Sequence, residues 1–79
     1  MQSARAALAA GRGEQAVQLF REALAHRAPP MAWSGLGQAC ELVGDPAGAI
    51  EAYRKFIELR PTLPEAERLR RRIRYLGGR

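Results

Sequence analysis

The chain repeats itself, and that constrains its fold more than any other feature. The ordered set Gly11, Ala16, Val17, Phe20, Ala23, Leu24 recurs as Gly44, Ala49, Ile50, Tyr53, Phe56, Ile57, each pair at one interval (44 − 11 = 33). A unit of that length is a supersecondary element that cannot bury its own apolar face, so consecutive units must stack on each other. Within the units, Ala16, Leu19, Phe20, Ala23 and Leu24 are spaced three and four apart, as are Ala49, Ala52, Tyr53, Phe56 and Ile57. That is the period of an amphipathic helix, and β-branched residues are too few and isolated to argue for strands.

Turn residues divide the helices. Gly11 and Gly13 interrupt the first pair, Pro29 and Pro30 end the first unit, and Gly44 ends the third helix. Asp45 then reads as an N-cap, with Pro46 at the first helical position. In Thr62-Leu63-Pro64-Glu65 the threonine and glutamate are spaced to satisfy each other's free backbone donors, which starts a fifth helix near Leu63. The spacing predicts helices at about 2–10, 13–27, 31–43, 46–59 and 63–76. Seventy-nine residues enclose one modest core, so a single domain is expected. Its parts are a first repeat at about 1–29, a second at 30–62 and a capping helix at 63–76.

The second unit reads Trp33, Leu36, Gly37, Cys40, Gly44, Asp45, Ala49, Tyr53, Pro61. That pattern resembles the tetratricopeptide repeat, with a large residue, a leucine and a small residue on its first helix, an alanine and an aromatic on its second, and a closing proline. The family's usual aromatic is missing where Cys40 stands. Phe56 stands where the family prefers a small residue, and Ala66 is expected to make room for it. Gly37 and Ala49 are expected to face each other where the helices approach closely. The first unit fits on its second helix only, and its turn through Ala28, Pro29 and Pro30 is one residue short.

The resemblance implies an all-α fold, a right-handed α–α superhelix of antiparallel hairpins with about five helices. It also implies a scaffold for protein–protein interaction whose concave face, lined by the first helix of each pair, holds a partner's peptide or helix. Residues of those helices that do not face the core are the candidates: Arg5, Met31, Ser34, Gln38, Glu41, Arg68 and Arg72, with the register of the last helix left open. Small Ser34 and Gly35 would leave a dip flanked by arginines, a setting for an acidic segment. The lysines and asparagines with which some family members clamp a C-terminal carboxylate are not reproduced by Met1, Arg5, Ser34, Gly35 and Gln38.

Lysine and arginine number 13 against 8 acidic residues, and all but Lys55 are arginine. The run at 68, 70, 71, 72 and 74 could contact nucleic acid or an anionic membrane, but no aromatics are interleaved and no groove-reading motif accompanies it. A solvated or protein-binding face is the better reading. Self-association through an exposed terminal helix face is the main competing function, giving a homo-oligomer. His26 has no nucleophile or carboxylate partner and suits a helix end, while Cys40 suits core packing. No enzymatic activity, metal or cofactor is expected. A lone cysteine, with no leader or membrane-length apolar run, points to a reducing cytoplasm.

Overall fold

The computed structural model describes residues 2–78, so Met1 and Arg79 of the tail lie outside the described residues. Within them the chain forms α1 (Gln2–Ala9), α2 (Gly13–Ala25), α3 (Met31–Leu42), α4 (Pro46–Leu59) and α5 (Pro64–Tyr75), and no strand. Helix α3 is central. It packs against both α2 and α4, while α1 leans on α2 and α3, and α5 closes the stack against α4. The core is built from Phe20, Tyr53 and Phe56 among many alanines, with Ala66 also fully buried.

Local chemistry explains most helix ends. Asp45 caps α4 by accepting from the Gly48 backbone N–H at 3.0 Å, which satisfies one orphan donor. Gly44, at φ 75°, reverses the chain after α3, and the Asp45 N–H reaches back to the Cys40 carbonyl at 2.9 Å. The same closure ends α2, where the Ala28 N–H meets the Ala23 carbonyl at 3.1 Å. There the left-handed residue is Arg27, at φ 62°, which bears a Cβ. This reversal stops α2 at Ala25, two residues before the expected end.

The start of α5 differs from expectation. Its N-cap is Leu63, no side chain caps it, and Thr62 is exposed. The carboxylate of Glu65 is drawn away by Ser34 and Arg68, so the reciprocal threonine–glutamate arrangement does not form.

Glycines set how closely the layers approach, though not as the sequence suggested. A Cβ on Gly35 would sit 2.4 Å from the Phe20 ring, and one on Gly37 would sit 2.2 Å from the Tyr53 ring. Gly37 therefore makes space for an aromatic edge rather than for Ala49, and Gly35 lies beneath a ring from the preceding hairpin. The roughly 1 kcal/mol that glycine costs inside a helix is offset by burying these two rings.

Candidate functional site

The first helices of the successive pairs place matching side chains on one face. Arg5, Gln38 and Arg72 are equivalent across α1, α3 and α5, as are Leu8, Glu41 and Tyr75. The first step is 33 residues and the second is one longer (72 − 38 = 34). Burial fixes the second step, because the buried residues Ala66, Leu69 and Ile73 of α5 align with buried Ala32, Gly35 and Ala39 of α3. The open register of the last helix is thereby resolved, with Arg72 and Tyr75 turned to the same side as Gln38 and Glu41.

Between α1 and α3 this face opens into a hollow of about 840 Å³, lined by Arg5, Leu8, Ala9, Gln38, Glu41, Leu42 and Arg72. The structure thus brings together Arg5, Gln38, Glu41 and Arg72 of the expected residues. Met31, 39% exposed, and Arg68 do not line the hollow. Ser34 requires a correction. It is only 1% exposed and donates from Oγ to Glu65 Oε2 at 3.0 Å, while Gly35 is covered by Phe20. The expected dip at Ser34 and Gly35 is closed, because a helix pinned to α3 through this hydrogen bond leaves no opening there.

Toward α5 the hollow ends in a chain of polar contacts. Tyr53 donates its phenolic O–H to Glu41 Oε2 at 2.5 Å. Arg72 Nε donates to both oxygens of the same carboxylate, at 2.9 and 3.1 Å, and its guanidinium lies 4.6 Å from the Tyr75 ring centroid. Arg68 is paired with Glu65 in the same way along α5. Burial by itself would raise the Glu41 carboxyl, but hydrogen bonds from Arg72 and Tyr53 outweigh it and hold the group below the usual carboxylate range. Burial, then the bond to Glu41, pushes the Tyr53 phenol far up, so it stays a donor. Two arginines expected to greet a ligand are therefore already engaged by the protein. Arg5 alone among the cations lining the hollow has no hydrogen-bond or ion-pair partner among the described residues.

The motif residues fall on the core side of these helices. Leu36, Gly37, Ala49 and Tyr53 are buried, Trp33 is half-buried against the core, and Gly44, Asp45 and Pro61 form the turns. A scan against protein-family models matches this pattern to the tetratricopeptide repeat over residues 1–64. The chain belongs to the tetratricopeptide repeat family. No match was found among curated proteins or among solved structures. As a tetratricopeptide repeat it is an all-α helical stack of a kind that generally mediates protein–protein interaction and is generally non-catalytic. The matched residues stop at the first residue of α5, so most of that helix lies beyond the family pattern.

Sequence reasoning missed Tyr53 as a polar partner and Glu65 as the residue that ties Ser34 down. One signal was present: Phe20 becomes Tyr53 between the repeats, and Leu8 becomes Glu41. A buried phenol needs an acceptor, and the second change supplies it. Cys40 is buried, and burial followed by the nearby Asp45 raises its thiol, so it stays protonated in the core. No helix among the described residues is long and apolar enough to cross a membrane.

Proposed function

We propose that this tetratricopeptide repeat chain holds an acidic segment of another protein in the hollow between α1 and α3, without catalysing a reaction, in a reducing compartment such as the cytoplasm. The observation that carries this reading is the state of Arg5. It lines an open hollow beside apolar Leu8 and Leu42, and no carboxylate among the described residues neutralises it. A ligand carboxylate on Arg5, with an apolar side chain between the leucines and its backbone on the Gln38 amide, would use each group offered. Glu41 and Arg72 would serve as a rigid wall and not as the principal contacts.

Exposed charge pairs are each worth about 0.2–1 kcal/mol, so binding should be weak and should fall with added salt. Titration of the isotope-labelled chain with a short peptide of alternating leucine and glutamate tests this. Chemical-shift changes are expected along Arg5, Leu8 and Gln38, and Arg5→Glu should weaken binding by about tenfold. Unmoved resonances at these three residues would remove the proposal.

A further inference from the structure

The internal repeat shows what the last helix lacks. In the second repeat, α3 receives α4 along Trp33, Leu36, Gly37 and Cys40, with the Tyr53 ring against Gly37 and Gly48 beside the Cys40 sulfur. One step of 34 residues later, the same stripe of α5 carries Glu67, Arg70, Arg71 and Arg74. No helix of the described chain covers it, and all four residues are exposed.

The uncovered position retains its floor. Ile57 and Ile73, with Arg54, Arg70 and Arg74, line a hollow of about 290 Å³ between α4 and α5. Its counterpart in the preceding repeat, lined from α2 and α3 by Arg21, Leu24, Trp33 and Leu36, is completed by α4, which brings Gly48, Glu51 and Ala52. Arg21 and Leu24 are the repeat equivalents of Arg54 and Ile57. The molecule therefore contains one worked example of the helix that fits such a place: small residues on the seam and a glutamate one turn along.

The outer face of α5 also carries charge that no described residue answers. Arg68, Arg70 and Arg72 are paired with Glu65, Glu67 and Glu41. Arg71 and Arg74, one turn apart on the exposed stripe, have no hydrogen-bond or ion-pair partner among the described residues. Guanidinium groups at that spacing match carboxylates three or four residues apart on a facing helix. At Gly77 the chain turns away, and Gly78 lies against Ile73 and Ile50, which bounds one end of the seat.

We infer that the outer face of α4 and α5 seats one amphipathic helix of a partner protein, with small apolar residues on Ile57 and Ile73 and carboxylates on Arg71 and Arg74. This surface is a different face of α5 from the one that carries Arg72 and Tyr75, and it does not depend on ligand binding in the concave hollow. An ordinary apolar helix is disfavoured, because it would strip water from the Arg71 and Arg74 guanidinium groups without giving them partners.

The test uses a side-chain-stapled helical peptide with glutamates three and four residues apart beside an alanine stripe. Two controls accompany it: the same peptide with every glutamate replaced by glutamine, and a single-stranded oligonucleotide of equal charge. Titrated into the labelled full chain, the acidic peptide is expected to shift the Ile57 and Ile73 methyls and the Arg70 and Arg74 amides, leaving Arg5 and Gln38 unmoved. The glutamine peptide should bind about tenfold more weakly, and R71E/R74E should abolish the shifts. If that double variant loses helicity, R71Q/R74Q takes its place with the same expectation. Shifts absent or confined to Arg5 and Gln38, equal affinity for the two peptides, or tighter binding of the oligonucleotide would each overturn the inference.

Discussion

Helices α3 and α5 stand one repeat apart, agree on the face turned to the preceding hairpin and differ on the face turned to the next. On the shared face Ala32, Gly35 and Ala39 become Ala66, Leu69 and Ile73, all buried. On the other, Trp33, Leu36, Gly37 and Cys40 become Glu67, Arg70, Arg71 and Arg74. A helix that must be covered on both sides carries apolar or small residues on each of those two faces. One covered on a single side can place arginines where its neighbour placed a core. Stacking is thus carried by the backward-looking face, and the forward-looking face is free to take up other chemistry.

The contrast is sharpest at Gly35 and Leu69, which share a repeat position. Leucine is accepted in α5, whereas in α3 the Phe20 ring already occupies the space a Cβ would need. Gly35→Leu, which makes α3 like α5 at that point, should therefore destabilise by more than about 3 kcal/mol and abolish a cooperative thermal transition followed by circular dichroism. A variant melting like the parent would mean that the ring can leave without penalty, and the two helices would then differ less than their packing indicates.

A second difference concerns what holds α5 in place. The α2–α3 junction rests on the Phe20 ring, while α5 is fastened to α3 by Ser34 to Glu65 and by Arg72 to Glu41, a carboxylate that Tyr53 of α4 also holds. Tyr53→Phe removes one donor from that carboxylate and should cost about 1–2 kcal/mol in urea unfolding. The pH dependence follows from the depressed Glu41 carboxyl. Below the ordinary carboxyl value of 4.5 the unfolded chain takes up the proton first, so the contribution is fully present above that value and is lost as pH falls through the lower folded value. Glu41→Gln should remove this acid-side loss. If parent and variant declined in parallel on acidification, the carboxylate would not be the tie.

The smallest expected effects compare how α4 and α5 begin. Asp45→Ala deletes a side-chain cap and should cost about 1 kcal/mol, while Thr62→Ala should stay within about 0.5 kcal/mol because Thr62 caps nothing. Equal losses in chemical unfolding would show that the threonine acts at the start of α5 after all.

The helices, their order and most of their limits were legible in the residues, because capping, turn formation and apolar spacing are decided within a few positions. Asp45 carries its own explanation in the sequence, and so does Gly44. Thr62 misled for the complementary reason: its expected partner, Glu65, has a competing donor in Ser34, which is remote in sequence. Of the candidate groove, Arg5 and Gln38 were identifiable from helix faces alone. The burial of Ser34 and the engagement of Arg72 were not.

A 33-residue self-match and a three-to-four spacing admit little but a two-hairpin helical repeat with an extra arginine-rich helix, and both are visible in the residues alone. Which charges are engaged inside the molecule and which face solvent is a matter of packing. That outcome depends on a one-residue change in repeat length, from 33 to 34, which turns α5 about its axis by a fixed amount. In that orientation Arg72 meets Glu41, Glu65 meets Ser34, and Arg71 and Arg74 are left facing outward.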